Sequence, residues 1–164
     1  MIFLTVGTSF PFDRLVKAID DLVAQGKLRP DIFAQVGKGG YRPQNFDFVE
    51  TLDKVKFDAY FEKAEAVIAH AGMGTITMAL ERHKPILVVP RLKKYQELVN
   101  DHQLATAKHF EQLGHVIAAY DINELTLKLE LLKTFKPAPR ESQVELVAER
   151  IGAFLNLITT KPQQ

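Results

Sequence analysis

Short apolar runs alternate along this chain with longer segments whose apolar residues recur at spacings of three and four. The short runs predict strands, and several of them are continuously apolar, which is typical of a parallel sheet covered on both faces. The longer segments predict amphipathic helices. We therefore expect an α/β fold, an open parallel sheet with helices on both faces. The predicted strands are residues 2–6, 31–36, 45–49, 66–69, 86–89 and 116–119.

The first predicted helix covers residues 12–23 and ends at a glycine. Asp121 and Glu124 resemble a capping box that opens a later helix, and Ser142 with Glu145 repeat the pattern. We expect residues 1–164 to form a single domain, with C-terminal helices over about 122–158. The other helices are predicted at residues 57–64, 75–82 and 101–113, and the last helix carries an apolar face of Val144, Val147, Ile151, Phe154 and Ile158.

The composition narrows the class of protein. The chain has 164 residues, of which 46% are hydrophobic and 25% charged, which is typical of one globular domain. Its net charge of +1 gives no general case for nucleic acid or an anionic membrane as partner. The lack of cysteine excludes disulfides and thiolate metal sites and fits a reducing cytoplasm. No apolar run approaches the roughly 20 residues of a membrane span, so any membrane anchor is expected in another chain.

A glycine turn lies between a predicted buried strand and a predicted helix. Gly72 and Gly74 have no Cβ, so a ligand can approach the backbone closely, or the glycines merely permit a tight turn. The free N–H groups at a helix start favour an anion. Thr75 offers a hydroxyl and an N–H that reach a phosphate oxygen, or that cap the helix. We expect a phosphate or pyrophosphate at residues 72–75.

Other candidates follow the strands at the same edge, because ligands of open α/β sheets bind beyond the carboxyl ends of the strands. His70 ends a strand and could donate a hydrogen bond, act as an acid or base, or bond a loop carbonyl. Asn100 and Gln103 carry amides suited to sugar hydroxyls, whereas Asp101 suits a helix cap. Arg91 could attract a diphosphate.

Three further features of the sequence are weaker signals. Lys93 and Lys94 are interpreted as solvated loop charges. Gly37-Lys-Gly-Gly40 lacks the spacing of a P-loop, and is interpreted as a flexible loop at the ligand edge. His83, His109 and His115 lack the spacing of metal ligands.

These motifs, in this order, resemble the C-terminal domain of glycosyltransferase family 28. The resemblance rests on His70-Ala-Gly-Met-Gly-Thr75, Lys84-Pro-Ile-Leu-Val-Val-Pro-Arg91 and Asn100-Asp-His-Gln103. Phe3-Leu-Thr-Val-Gly-Thr8 with Phe12-Asp-Arg-Leu-Val16 is similar to the start of stand-alone members, and the likeness covers about residues 1–120. Those members are the catalytic subunit of the eukaryotic dolichol-linked UDP-GlcNAc transferase and small subunits of bacterial capsule and exopolysaccharide synthesis.

The resemblance implies the Rossmann-like donor half of a two-domain GT-B glycosyltransferase, without a bound metal or cofactor. A membrane-anchored partner subunit would hold a lipid-linked saccharide acceptor and recruit this cytoplasmic chain to the inner face of the membrane. The turn with Met73 would hold the diphosphate of a UDP-sugar, Gln103 the sugar, and Gly7 and Thr8 would border the cleft. We expect ligand contacts from Gly7, Thr8, His70, Gly72, Met73, Gly74, Thr75, Arg91, Asn100 and Gln103, with His70 as the catalytic candidate.

One position departs from the family pattern. A single-chain bacterial relative carries a ribose-binding acidic residue six positions after the first turn glycine, where this chain has Met78, with Glu81 one helical turn further on. Met78 favours a rival interpretation, a non-catalytic nucleotide-sugar-binding or regulatory protein. A third, a dinucleotide-binding oxidoreductase, is weakened because no G-x-G-x-x-G follows the first strand.

Overall fold

The sheet is parallel throughout in the computed structural model, which describes residues 1–139 and 144–159. Its strand order is β3-β2-β1-β4-β5-β6, as expected for an open α/β sheet. The predicted strands are thus confirmed, with ends that shift by one or two residues. They are β1 (Ile2–Thr5), β2 (Ile32–Gln35), β3 (Asp47–Val49), β4 (Ala66–His70), β5 (Ile86–Val89) and β6 (Ile117–Ala118).

Helices follow the strands, as the apolar spacing predicts. The largest shift is at α2, which begins three residues before its predicted start because Asp53 caps it by accepting from the Lys56 N–H. The next helix, α3, begins two residues before its predicted start because Gly72 takes the extended N-cap conformation and Gly74 fits inside the first turn. The α-helices are α1 (Asp13–Ala24), α2 (Lys54–Lys63), α3 (Met73–Glu81), α4 (His102–Gln112), α5 (Leu125–Leu132) and α6 (Val144–Thr159). Short 3₁₀ turns cover Lys93–Tyr95 and Ile122–Glu124.

Successive strand residues point to opposite faces, so the sheet has a core on each side. In β1, Leu4 packs with α1 and α5 on one face. Phe3 packs on the other face with Phe61 of α2, Ile76 of α3 and Ala107 of α4. This arrangement confirms the sheet covered on both faces.

The central strands define where a ligand can bind. The chain builds outward from β1 through β2 to β3, and then returns to β4 on the other side of β1. The loops that leave β1 and β4 therefore diverge to opposite faces, which opens a crevice at their carboxyl ends. Val6-Gly7 and His70–Gly72 follow these two strands.

The C-terminal segment packs on the end of α4. The Ala138 N–H donates to the Gly114 carbonyl at 2.9 Å, and the Ala138 carbonyl lies 3.0 Å from His115 Nδ1. The apolar face expected for α6 is exposed at Val147 and Phe154. Ser142, predicted to cap that helix, lies outside the described residues. Across residues 1–139 and 144–159, no helix combines the length and apolar character that a membrane crossing requires.

Candidate functional site

His70 lies between two glycines at the centre of the carboxyl edge. A Cβ built on Gly7 would stand 2.9 Å from His70 Cε1, and one built on Gly72 would stand 2.9 Å from Cδ2. Real Cβ atoms do not come this close to another heavy atom, so a larger residue at either position would clash with the imidazole. Gly7 also has a φ of +80°, a conformation that favours glycine. The packing of His70 thus explains why these two positions are glycine.

The surroundings of His70 keep its ring neutral. Burial, and after it the charge of Arg91, together lower its pKa to about 4, although the Thr5 backbone acts in the opposite direction. Nδ1 is buried without a hydrogen-bond partner of normal geometry among the described residues. At pH 7 a neutral imidazole can donate one hydrogen bond to a ligand but does not serve readily as a general base.

The start of α3 carries unused hydrogen-bond donors. Its N-cap, Gly72, has no side chain to accept from the first turn, and the first turn holds no acidic residue. The backbone N–H groups of Met73, Gly74 and Thr75 therefore lack an intrahelical acceptor. A Cβ built on Gly74 would meet no atom within 4 Å. The turn thus combines a positive helix end with open space beside Gly74.

Arg91 does not reach toward this space. Its side chain is 3% exposed, and Nη2 donates to the carbonyls of Val6 at 2.9 Å and Phe10 at 2.6 Å. The expected contact between Arg91 and a diphosphate is therefore not favoured by this geometry. The sequence places Arg91 at the start of a polar, basic loop, but the side chain turns inward onto the carbonyls of Val6 and Phe10. Lys93 and Lys94 are exposed, as interpreted from the sequence.

The start of α4 lies beside Arg91. Gln103 is buried, and its Oε1 accepts from the Arg91 N–H at 3.1 Å. Asp101 occupies the N-cap position but does not cap its own helix, because its Oδ1 accepts from the Lys93 N–H at 2.7 Å instead. Asn100 Oδ1 fills that role by accepting from the His102 N–H at 3.3 Å. The amide of Gln103 is thus held in place, and the side chain of Asn100 is committed to the helix start.

The loop over residues 37–40 joins the same edge, as predicted. A Cβ built on Gly37 would lie 3.1 Å from Pro11 Cα, which shows how closely the loop packs against the β1–α1 connection. The Tyr41 N–H donates to Asp13 at 2.8 Å, and Asp20 accepts from Asn45 at 2.9 Å. The chain is therefore tied to α1 and to the β1–α1 connection on both sides of Lys38 and Gly39, which are themselves exposed. A flexible loop at the ligand edge stays a prediction for these two residues.

The position of the expected ribose-binding acid, Met78, is partly buried against the core. Met78 packs against the apolar cluster beneath α2, α3 and α4. Glu81 is exposed at the last residue of α3, eight residues after Met73, which corresponds to about 12 Å along the helix. Glu81 therefore lies far from the glycine turn and is poorly placed to replace the acid.

Two cavities lie away from the glycine turn. One of about 430 Å³ is bounded by Phe10–Arg14 and Tyr95–Glu97, beside the site. The other, of about 500 Å³, lies near Met1 and Tyr60, toward the amino ends of the strands. Neither is lined by residues 70–75. Met73 and Gly74 are exposed, so the turn itself faces open surface.

The sequence does not reveal the roles of three residues near the site, which are Gln35, Arg14 and Glu97. Gln35 is fully buried, and its Nε2 donates to the Gly7 carbonyl at 3.2 Å. Arg14 and Glu97 pair across 83 positions of sequence. No local spacing signals such a pair, since one residue lies on a helix and the other in a polar loop.

Comparison with known families assigns the chain. Residues 1–151 match the family described as glycosyltransferase family 28 C-terminal domain. The chain belongs to this family. This family 28 domain is 32% identical over 126 residues to the human "UDP-N-acetylglucosamine transferase subunit ALG13", an alignment that covers 70% of the chain and 10% of the human protein. The protein of that name from Eremothecium gossypii is 35% identical over 92 residues, covering 52% of the chain and 43% of that protein.

Solved structures share the fold of the family 28 domain. An NMR solution structure of ALG13 superposes with a TM-score of 0.56 at 21% identity, covering 92% of the chain and 93% of that structure. The crystal structure of Acinetobacter baumannii MurG gives 0.57 at 23% identity, covering 80% of the chain and 41% of that structure. The chain thus spans less than half of both curated relatives and of MurG, but nearly all of the ALG13 structure.

Proposed function

We propose that this chain is the donor-binding catalytic subunit of a two-component UDP-sugar glycosyltransferase. In this proposal residues 1–164 act as one UDP-sugar-binding domain. The chain passes a hexose or N-acetylhexosamine to a membrane-lipid-linked saccharide during polysaccharide synthesis. Family membership supports the glycosyl transfer, and the names of the relatives support UDP-N-acetylglucosamine as a donor and the role of a subunit.

The observation that carries the proposal is the start of α3. The backbone N–H groups of Met73, Gly74 and Thr75 have no intrahelical acceptor, and a Cβ on Gly74 would meet no atom within 4 Å. A diphosphate seated there accepts these donors at the positive end of the helix. As the bond from the sugar to UDP breaks, negative charge grows on the leaving diphosphate, and fixed donors stabilise that charge without reorganising.

The neighbouring residues have distinct roles in this proposal. His70 acts as a neutral hydrogen-bond donor beside the diphosphate, since a pKa of about 4 leaves it uncharged at pH 7. Gln103 and Asn100 stand near the sugar, and Gly7 and Thr8 border the cleft. Arg91 does not contact the UDP-sugar in this proposal. It supports the site by binding the Val6 carbonyl. The general base comes from the partner or from the shared cleft.

A partner chain is part of the proposal because the turn faces open surface. Phe10 and Met73, which border the site, are 58% and 52% exposed. Burial of such apolar side chains against a second chain is favourable and would close the cleft over the donor. We propose that this partner is membrane-anchored and holds the chain at the cytoplasmic face. Transfer by the purified chain alone should be slow, and rapid transfer without any partner would contradict this.

The test is calorimetric titration with UDP and UDP-N-acetylglucosamine, comparing Gly74→Ala with the unmodified chain. The added methyl meets no protein atom but enters the diphosphate space, so UDP affinity should fall about tenfold or more. Gly152→Ala is the matched control, because Gly152 is also a helical glycine without neighbours within 4 Å. Equal UDP affinity for Gly74→Ala and the unmodified chain would overturn the diphosphate site.

Binding without catalysis is the second candidate, and Met78 favours it. Met78 offers no carboxylate to a ribose, and its side chain packs against the core instead. UDP binding by the chain, with no transfer even when the partner and acceptor are supplied, would favour a regulatory role over the catalytic one.

A further inference from the structure

Two loops at the carboxyl edge hold each other through arginines. One loop, residues 6–12, joins β1 to α1, and the other, residues 90–101, joins β5 to α4. Arg91 of the second loop donates to three carbonyls of the first. Its Nη2 lies 2.9 Å from the Val6 oxygen, 2.6 Å from the Phe10 oxygen and 3.4 Å from the Pro11 oxygen.

Arg14 makes the reverse connection. It lies in the first turn of α1, immediately after the first loop, and its Nη2 donates to the Pro90 carbonyl at 3.0 Å. Its guanidinium also forms a two-point pair with Glu97, with Nε to Oε1 at 2.7 Å and Nη2 to Oε2 at 2.9 Å. The side chains are 13% and 11% exposed, so solvent screens this pair less than a surface ion pair.

Phe12 joins the two arginines. The guanidinium carbons of Arg14 and Arg91 lie 5.2 Å and 5.1 Å from the centre of its ring, which is 1% exposed. Cations at this distance from an aromatic ring are attracted to it. Both arginines are therefore fixed against one buried side chain that belongs to the first loop.

Glu97 also holds its own loop in shape. Gln96 adopts a left-handed conformation with a φ of 58°, and Glu97 Oε2 accepts from the Leu92 N–H at 2.9 Å. The same carboxylate thus binds Arg14 and the start of the second loop. Because Arg91 precedes Leu92 and its N–H binds Gln103 at 3.1 Å, the position of Gln103 depends on this loop.

We propose that Arg14, Arg91, Glu97 and Phe12 form a reciprocal clamp that makes the two loops a single unit and sets the shape of the donor site. They are positioning residues, which act through Gly7 and Thr8 on one side and Gln103 on the other. The inference rests on the proposed function for its effect on UDP binding. The coupling between the loops stands on the contacts alone and is testable without a ligand.

Amide hydrogen exchange on the full chain tests the coupling. Glu97→Gln removes the negative charge of the carboxylate that pairs with Arg14. Arg14→Lys keeps the positive charge but removes the planar guanidinium that binds both carboxylate oxygens. Each variant should speed exchange of the Leu92 amide and of the Gly7 amide, although Glu97 forms no hydrogen bond with Gly7 in the described residues. Each acceleration should be about tenfold, the effect of losing a hydrogen bond to a charged group.

Arg82→Lys is the matched control. Arg82 pairs with Asp58 at 3.4 Å and stacks on Phe61 at 5.3 Å, but it follows α3 at the opposite end of that helix. It should leave both amides unchanged. The clamp would be overturned if Glu97→Gln sped hydrogen exchange of the Leu92 amide but not of the Gly7 amide. It would also be overturned if Arg82→Lys sped exchange of both amides equally.

UDP titration of the same variants tests the link to the site. Glu97→Gln and Arg14→Lys should each weaken UDP binding about fivefold, and the double variant should be no weaker than the worse single one, because both remove one unit. Unchanged UDP affinity in variants whose two loop amides exchange faster would overturn the positioning role. Failure of the unmodified chain to bind UDP would instead contradict the proposed function, while the exchange result decides the clamp.

Discussion

Two glycine-rich segments meet at the carboxyl edge, and they use their glycines differently. In the loop over residues 37–40, Gly37 and Gly39 have φ of +84° and +69°, and Gly40 packs against Pro11. In the turn over residues 72–75, neither glycine has a positive φ, and Gly74 faces empty space. In the loop over residues 37–40, the glycines allow the positive φ angles and the close packing of the backbone. In the turn over residues 72–75, they leave backbone N–H groups without acceptors and the space beside Gly74 unfilled. Glycine content alone therefore does not identify a ligand site.

Asp20 should give the largest effect that separates the two segments. Its buried carboxylate accepts from Tyr41, Gln44 and Asn45 and so ties the chain after the glycine loop to α1. Asp20→Ala leaves these donors unpaired and should lower the free energy of unfolding by about 3 to 4 kcal/mol, as measured by urea denaturation. UDP affinity of the folded variant should stay unchanged. A loss of affinity without a loss of stability would place the glycine loop in the site.

The pH dependence of stability should report on the other segment through His70. Its folded pKa of about 4 lies below the ordinary value of 6.5, so the unfolded chain binds the proton more tightly. The contribution of His70 is therefore present above pH 6.5 and is lost as the pH falls toward 4. It amounts to about 3 kcal/mol.

Urea denaturation from pH 7 to pH 4 measures this loss, and His70→Gln is the variant to compare. The difference between the two curves should appear between pH 6.5 and pH 4. The pKa of Asp20 is also lowered: burial would raise it, but hydrogen bonds from Asn45, Gln44 and Tyr41 outweigh that effect. Its contribution is lost only below about pH 4. Identical slopes with and without His70 would show that its ring is not buried in solution.

Gly72→Ala should have an intermediate effect within the turn itself. The backbone of Gly72, with φ of −92° and ψ of 133°, suits alanine, and the three atoms nearest to an added methyl all belong to the His70 ring. We expect a loss of about 2 kcal/mol in the free energy of unfolding. In a His70→Ala background the same change should cost almost nothing, because the obstructing ring is gone. An equal loss in both backgrounds would show that another neighbour restricts this position.

Gly74→Ala should have the smallest effect on stability, and of opposite sign. Alanine has a higher helix propensity than glycine, and the methyl meets no neighbour, so the variant should gain about 0.5 to 1 kcal/mol. Thermal denaturation measures this gain. A stabilised variant with weakened UDP binding would separate the two roles of the turn. A destabilised variant would show that the space before Gly74 is filled in solution.

Much of the fold was predictable because its causes are local. The apolar run 86–89 is fully buried as β5, and the stripe of α1 packs Leu15, Val16 and Ile19 into the core. The gathering of Gly7, His70 and Gly72 followed from parallel topology alone. The start of α3 was missed by two residues, because glycine lowers helix propensity but is tolerated at an N-cap and in an open first turn.

The details of the site depended on contacts that no local pattern encodes. Arg91 sits in a polar, basic stretch, and its burial follows only from the carbonyls that Val6 and Phe10 present across the edge. The neutral state of His70 follows from burial beside that arginine. Gln35 shows no sequence signal for its bond to Gly7, since a glutamine at a strand end is common. Such roles arise when distant segments meet.

The short strands at both margins of the sheet limit how this chain assembles. β3 has three residues and β6 has two, so each margin exposes only a few backbone groups to an incoming strand. Extension of the sheet by β-augmentation is therefore disfavoured, as is the edge-to-edge stacking that leads to aggregation. We therefore expect a second subunit that joins this chain to bind through helix faces and loop side chains.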